Sequence, residues 1–465
     1  MTTAPEKYDV IVAGAGSGGI GAACSAARMG ARTLLLEKES VIGGTFVSSG
    51  VCCWESSVSG TGLSKEIYMT ACKTPLAADI YPREHKNPSY DITLKTNGLS
   101  PENGIKGRYG VIIEPRVYLK TCLDILSETG NCRVLTGAEL SDASSVSGVV
   151  KSVRVRTERG ETEFFADYFI DSTGDCALCA ALGCGMACGS EARAEYGEPS
   201  AFEEKDRSNI NGVTLIFRAG AGAGPGLFAE EAPAEEFERR PLWRQRFPNG
   251  DLYVNMLPSL TGREFVSLGY EDAFALALKR VRLAWADFKA GNEKLRDCHI
   301  IWTAPRLGVR ESSRVICERM LTENDIMDGI YAQDYHDIIA VSDHAIDIHG
   351  APAARRTGLL KHPYGVSFRS LIPKGWKNLL AACRGAGFTH IAASSCRLSR
   401  TMMQLGQAAG TAAALAQKTL LSAPDVPYAE LRAEMDRQGI VLDPEKLERM
   451  WRTALKIPED GGRDF

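Results

Sequence analysis

A short apolar run that halts at a cluster of glycines and resumes as a small-residue helix constrains this chain more than any other feature. Tyr8-Asp9-Val10-Ile11-Val12-Ala13 reads as a strand, Gly14-Ala15-Gly16-Ser17-Gly18-Gly19 as a tight turn, and the residues from there to Met29 as a helix. A second run, Arg32-Thr33-Leu34-Leu35-Leu36, ends in the acid Glu37, roughly 20 residues beyond the glycines, where a dinucleotide fold places an acid on a ribose hydroxyl. Gly14 permits the turn, Gly16 lets a backbone approach a pyrophosphate with no Cβ in the way, and Gly19 lets helix and strand pack closely. The helix start, Ser17 and Gly18 included, offers free N–H groups and partial positive charge to phosphates. A plain strand-turn-helix is the competing reading of the glycines alone.

The residues after Glu37 favour FAD over a nicotinamide nucleotide. Glu37-Lys38-Glu39-Ser40-Val41-Ile42-Gly43-Gly44-Thr45 resembles the acid-then-glycine-pair pattern of flavoproteins, in which the second turn also meets the pyrophosphate and the flavin ring. Asp167-Tyr168-Phe169-Ile170-Asp171-Ser172-Thr173-Gly174-Asp175 resembles a second flavoprotein signature beside the adenosine end.

The 465 residues are long for one core and predict two interleaved domains. A net charge of −4 leaves no electrostatic footprint for nucleic acid, and no apolar run is long enough to span a bilayer. The polar start, Met1 to Lys7, carries no signal core, so a soluble cytoplasmic protein is expected. Fourteen cysteines in such a chain read as small buried hydrophobes in a reducing compartment. The fold class expected is α/β: a Rossmann-like FAD-binding domain, with a parallel sheet and a β-meander, carrying an inserted α+β substrate or cap domain. The FAD domain is drawn over 1–60, 111–190 and 375–465, an active-site excursion over 61–110, and the cap over 191–374.

Along the chain, Leu63 to Tyr109 is irregular and proline-bearing. Val117 to Leu126 has apolar residues at helical spacing through Leu119, Leu123 and Leu126. Val134 to Thr136 reads as a strand. Val149 to Thr157 alternates, turns at Glu158 to Glu161 and returns through Phe164-Phe165, as a meander does. The Gly220 to Pro225 stretch after the strand Val213 to Phe217 reads as a loop, Ala273 to Lys289 and Thr401 to Gln417 as helices, and the tail past Pro458 as frayed. In the helix from Thr401, Gly406, Ala409, Gly410 and Ala413 form a face that admits another backbone. Cys176, Cys179, Cys184 and Cys188 tempt an iron–sulfur assignment, but Cys176 and Cys179 sit at helical spacing among alanines, where packing suffices. The stretch His336 to His349 holds three histidines and three aspartates without a helical His-Glu-x-x-His arrangement, so no metal is assigned.

The ordered set Gly14 to Gly19, Gly43-Gly44-Thr45, Ile170 to Asp175, Arg306 to Arg314, Leu321 to Asp325, Tyr364 to Pro373 and Leu379 to Gly410 resembles the FAD-dependent oxidoreductases related to fumarate reductase and succinate dehydrogenase flavoproteins. Its Gly-Val-Arg-Glu-Ser and Leu-Gly-Gln-Ala-Ala-Gly segments carry the likeness most specifically. Cys383 departs from it, standing where the glycine of an Ala-Gly-Arg turn is usual. The resemblance implies FAD as cofactor, held by Gly14, Gly16, Ser17, Gly18, Gly19, Glu37, Lys38, Gly43, Gly44, Thr45, Ser172, Thr173, Gly174, Asp175, Arg384, Met402 and Gln404.

Flavin dehydrogenation needs a hydride path, a base or acid for the partner proton, and cations that hold a polar substrate. His390 is the acid/base expected, with His349 and Tyr364 as helpers and Arg310 and Arg397 orienting the substrate. The expected enzyme transfers a hydride between flavin N5 and a small polar molecule, a sugar derivative or organic acid, with an unidentified electron acceptor or donor as second partner. Neither nucleic acid nor membrane is expected, and a homo-oligomer is compatible with the sequence. One rival is a thiol/disulfide reductase using Cys52-Cys53, although the places where such enzymes carry their cysteines are Phe46 and Val51 and adjacent cysteines close only a strained ring. Another is a tRNA-modifying or non-catalytic flavin-binding protein, against which the charge balance argues.

Overall fold

The computed structural model describes residues 6–54, 57–82, 99–100, 104–105, 109–221, 226–228, 242–334, 336–350, 360–447 and 449. The strand β1 (Lys7–Ala13) leads into helix α1 (Ser17–Arg28) and strand β2 (Thr33–Leu36). β1 lies parallel to β2 on one side and to the strand Gly160–Asp171 on the other, and Cys132–Leu135 extends the parallel set beyond β2. The apolar residues of β1 and β2 are buried on both faces, which is why they read as continuous runs and not as alternation.

Gly160–Asp171 does two jobs. Its first half pairs antiparallel with Val149–Thr157, which pairs in turn with Glu139–Val146 to make the meander. Its last three residues pair parallel with Leu379–Ala381, returning the C-terminal third to the sheet. The helix Ser399–Thr419 then packs on α1 at backbone contact: a Cβ on Gly406 would sit 1.9 Å from the Gly18 carbonyl oxygen, and one on Gly410 2.0 Å from that of Ala22. The expected small-residue face is therefore the seam between these two helices.

A four-stranded antiparallel sheet, ordered Leu242–Arg246, Leu252–Met256, Ile216–Ala221, Cys298–Thr303, forms a second layer with the helix Tyr270–Ala290. The first of its strands in sequence runs on to Ala221, past the Phe217 end expected, so Gly220 belongs to a strand; 222–225 lie outside the described residues.

Two expectations change. The segment Leu63–Ala71, expected in an irregular excursion, is a helix whose Leu63, Ile67 and Ala71, four residues apart, are buried in the core. Of the excursion, 83–98, 101–103 and 106–108 lie outside the described residues, as does the tail 451–465. The helix Pro115–Ser127 covers the expected 117–126 but buries Tyr118, Cys122, Ile125 and Leu126, leaving Leu123 on the surface. Aromatic packing sets that face: the Tyr118 ring stacks on Phe46 at 3.8 Å between centroids, and Trp54 meets both edge-on. This trio props the Gly43-Gly44 turn from below, since a Cβ on Gly43 would come within 3.4 Å of the Tyr118 ring.

Candidate active site

At the first glycine turn the backbone is crowded on one side and open on the other. Gly14 has φ +92°, and a Cβ there would lie 2.5 Å from the Ser172 carbonyl oxygen. One on Gly18 would lie 1.9 Å from the Ala382 oxygen, and one on Gly19 1.8 Å from the Gly14 oxygen. Gly16 differs, because its nearest neighbour would be the Gly44 Cα at 4.0 Å. The two glycine turns pack backbone on backbone, since a Cβ on Gly44 would lie 2.8 Å from the Gly16 Cα, and Gly43 N–H donates to the Ala15 carbonyl to fix them (2.8 Å). The start of α1 has no side-chain cap and no acid in its first turn. That combination fits the pyrophosphate of FAD.

Around this cradle the expected cofactor residues divide. Glu37 is buried and accepts from Ala15 N–H at 2.8 Å and Glu39 N–H at 2.9 Å, so it ties the turn to β2. Lys38 is exposed beside it, and Thr45 opens the helical turn Thr45–Ser48. Ser172 Oγ donates to the Ala382 carbonyl, and Thr173 Oγ donates to Asp171. Arg384 lies over Gly174, donates to Asp175 at 2.6 Å, and keeps a buried Nε with no partner among the described residues. Burial works to raise the Asp175 carboxyl, and Arg384, Ser312 and Lys38 outweigh it to hold it below its ordinary value. The Met402 carbonyl abuts Gly18. Gln404 is a correction: its Oε1 accepts from Val341 N–H and its Nε2 donates to the Ser59 carbonyl and Thr61 Oγ, so its amide is spent within the protein.

A second cluster lies against the stretch leaving the Gly43-Gly44 turn. Arg306 N–H donates to the Ser48 carbonyl and Ser49 Oγ to the Leu307 carbonyl, which seats 306–307 on that stretch a few residues before Arg310. Arg310 Nη1 donates to the Gly212 carbonyl and to Thr214 Oγ, both at 2.7 Å; its other N–H groups have no acceptor among the described residues. Arg397, two residues before the helix Ser399–Thr419, donates from Nη2 to the Asp347 carbonyl at 3.0 Å and stands 3.5 Å from Asp347 Oδ2, while its Nε is buried without a partner among the described residues. His349 Nε2 lies 2.7 Å from the same Asp347 oxygen.

Charge balance sets the electrostatics of this group. Two guanidinium groups face one carboxylate. Burial and the neighbouring Arg397 bring Arg310 down to about 9, against the pull of Asp347. Burial opposes ionisation of Asp347, and His349 and Arg397 overcome it to hold the carboxylate well below its usual range. Burial lowers His349, Asp347 pulls the other way, and Arg310 and Arg397 add to the lowering, so the imidazole is neutral near pH 7.

Asn211, absent from the sequence expectations, binds this cluster together. It is fully buried; its N–H donates to Glu311 at 2.8 Å, its Nδ2 to the Asp347 carbonyl at 3.2 Å, and its Oδ1 accepts from His349 N–H at 2.9 Å. Nothing in Asn209-Ile210-Asn211-Gly212 marks it, since a lone asparagine before glycine reads as a turn.

His390 and Tyr364 stand elsewhere. His390 opens the helix His390–Ser395 with 2% exposure, and its Nδ1 lies 2.9 Å from both Glu311 oxygens. It belongs to a buried group with Glu311, Arg314 and Glu191, and not to the group of Arg310, Arg397 and His349. Tyr364 is fully buried with its hydroxyl 2.6 Å from Ser395 Oγ, which donates to the His344 carbonyl, so it fastens one loop. Cys52 and Cys53 are thiols with no disulfide between them, Cys52 buried and Cys53 half-buried. Among the described residues no group of three His, Cys, Asp or Glu side chains is set to hold a metal ion, and no helix is long and apolar enough to cross a membrane.

A flavoprotein/dehydrogenase from Cytophaga hutchinsonii is similar in structure at 14% identity, over 98% of this chain and 95% of that one, with a TM-score of 0.47. A geranylgeranyl bacteriochlorophyll reductase-like protein from Thermoplasma acidophilum gives 13% identity over 97% and 88%, with a TM-score of 0.44. In sequence, 52 residues are 46% identical to a 4-oxocyclohexanecarboxylate 2-dehydrogenase of Sinomonas cyclohexanicum, a stretch that spans 11% of this chain and 9% of that relative. The family model for FAD dependent oxidoreductases matches residues 9–435, nearly the whole chain and both glycine turns, and the protein is an FAD-dependent enzyme of that oxidoreductase family.

Proposed function

We propose that this enzyme takes a hydride from a small, negatively charged polar substrate, an organic acid or an acidic sugar derivative, and that His349 receives the accompanying proton. The observation that carries the reading is the pairing of Arg310 and Arg397 across the single carboxylate of Asp347, with guanidinium N–H groups left over. Such a site lacks one negative charge, and a substrate carboxylate or phosphate supplies it. Asp347 holds the Nε2–H of His349, which leaves Nδ1 as the basic nitrogen. FAD, when bound, supplies the hydride acceptor at N5. Gly16, Gly44 and the start of α1 hold its pyrophosphate, and Arg384 with Asp175 holds the adenosine side.

Kinship with fumarate reductase and succinate dehydrogenase flavoproteins, a cytoplasmic setting and a separate electron acceptor belong to this reading. The test is an anaerobic titration of the FAD-loaded enzyme with hydroxy acids, acidic sugars and their neutral counterparts. Bleaching of the visible flavin band by anionic compounds alone is the expected result. Bleaching by neutral sugars alone would overturn the assignment of Arg310 and Arg397.

A further inference from the structure

Outside that site, a concentration of buried charge surrounds His390. Arg314 is 1% exposed and donates to Glu311 and, at 2.6 Å, to Glu191. Glu191 also accepts from His390 N–H at 2.9 Å, so both its oxygens are engaged. Glu198 Oε1 accepts from Glu323 N–H at 2.7 Å and from Thr389 Oγ at 2.5 Å, while its Oε2 has no protein partner among the described residues. Glu323 in turn accepts from Ser200 N–H and Oγ. Four buried carboxylates thus face one guanidinium and one imidazole.

Two atoms in this group are left over. His390 Nδ1 lies against two acceptor oxygens of Glu311 and therefore carries its proton there, which leaves Nε2 as a lone pair that is buried and has no partner among the described residues. Glu198 Oε2 is the other. Both residues line one small cavity of about 10 Å³, walled also by Ser190, Glu191, Ser200, Ala201, Phe202 and Ile391. That is about the space one water molecule needs, and the polar side chains among the lining residues are the partners it would have.

We propose that this cavity is a binding site for a single water molecule that bridges His390 Nε2 and Glu198 Oε2, completing a buried proton-sharing chain from Glu198 to Glu311. The water donates one hydrogen to Nε2 and accepts one from the Glu198 carboxyl. When a proton shifts along the bridge, the Oε2–H bond breaks, a water O–H bond breaks as another forms, and an Nε2–H bond forms. Glu198 becomes a carboxylate and His390 an imidazolium between it and Glu311, and the net charge of the group does not change. Burial brings Glu198 up to about 7, against its two hydrogen bonds and with added repulsion from Glu191 and Glu323, so the carboxyl holds a proton to share at neutral pH. The groups facing this chain are Glu191 and Tyr196 from 190–198, Glu311 and Arg314 from the 304–314 loop, and Glu323 from the helix Glu323–Asp328.

The test is a high-resolution crystal structure of the FAD-loaded wild type grown near pH 6 without ammonium salts. One density peak within hydrogen-bond distance of both His390 Nε2 and Glu198 Oε2 is expected. An empty or collapsed cavity, or a peak that touches only one of the two atoms, would overturn the bridge. Ammonium ion has the same size and donors, so melting temperatures in ammonium chloride and sodium chloride at equal ionic strength form the second arm. Equal values support water; an ammonium-specific rise that E198Q abolishes would replace water by ammonium and overturn the proposal.

Discussion

His349 Nε2 and Asp347 Oδ2 lie 2.7 Å apart, and the same oxygen is the nearest carboxylate to Arg397. The carboxylate therefore fixes which imidazole nitrogen carries the proton and keeps one cation in place. Replacing His349 with alanine should retain FAD and lower kcat by about 10²–10⁴-fold, the usual worth of a positioned base. The check is turnover of the FAD-loaded variant, and wild-type kcat would remove His349 from the reaction.

The same pair sets the pH dependence. The base is the neutral imidazole, so activity is present at high pH and is lost as pH falls through the pKa of His349. Burial and the two arginines hold that pKa below its ordinary 6.5. The acid limb of kcat/KM should accordingly lie below pH 6.5 in the wild type. In Arg310→Ala, which removes one of the charges that lower it, the limb should move upward. A limb that does not move would mean that Arg310 and His349 do not share one site.

Arg310 and Arg397 are expected to act on binding. Loss of a charge-assisted hydrogen bond costs about 1.5–3 kcal/mol, so Arg310→Ala should weaken an anionic substrate by roughly 10–100-fold, with little effect on a neutral analogue. Arg397→Ala should cost more, because it also removes the cation beside the Asp347 carboxylate and the hydrogen bond to the Asp347 carbonyl. Dissociation constants from the flavin absorbance change on binding would measure both, and equal losses for charged and neutral ligands would contradict the anion role.

Glu198 gives a stability prediction whose sign can be worked out. Its folded pKa, about 7, stands above the ordinary value of 4.5, so the fold favours the protonated form. The favourable contribution is complete below pH 4.5 and is lost as pH rises through 7. Glu198→Gln keeps an acceptor for Glu323 N–H and Thr389 and removes the ionisation. Melting curves from about pH 5 to 9 should show the variant gaining on the wild type as pH rises, by an amount on the order of 3 kcal/mol at the alkaline end. A constant difference across that range would place the carboxyl in an ordinary, hydrated setting.

The parts of this protein that can be read from sequence are those whose physics is local. The βαβ unit, the second glycine pair, the meander at 149–171 and the small-residue seam at Gly406 and Gly410 are each written in a contiguous stretch. Arg310, Arg397 and His349 can be named one by one, because buried arginine and histidine near flavin motifs suit the chemistry. Their meeting around Asp347 depends on Asn211, whose three hydrogen bonds join segments about a hundred residues or more apart and leave no mark on the local sequence. The surroundings of His390 are hidden for the same reason: its position between two cofactor stretches says nothing of Glu311, which holds the ring in a buried ionic group. Gln404 lies on a cofactor-side helix, yet its amide is consumed by Val341, Ser59 and Thr61.

The glycines of the first turn separate folding from cofactor binding. Gly14→Ala puts a Cβ 2.5 Å from the Ser172 carbonyl at φ +92°, where an L side chain is also strained, so both melting temperature and FAD content should fall. Gly16 has φ −74°, which any residue adopts, and its Cβ would meet no protein atom closer than 4.0 Å. Gly16→Ala should therefore fold with a melting temperature close to that of the wild-type apoprotein. The methyl group would instead cover the open side of the turn, where the uncapped N–H groups at the start of α1 would meet the pyrophosphate, so FAD affinity should drop by roughly tenfold or more, about 1.4 kcal/mol or above. Apoprotein melting and FAD titration of the two variants measure these separately. If Gly16→Ala bound FAD as tightly as the wild type, the open side of the first glycine turn would not be the pyrophosphate site.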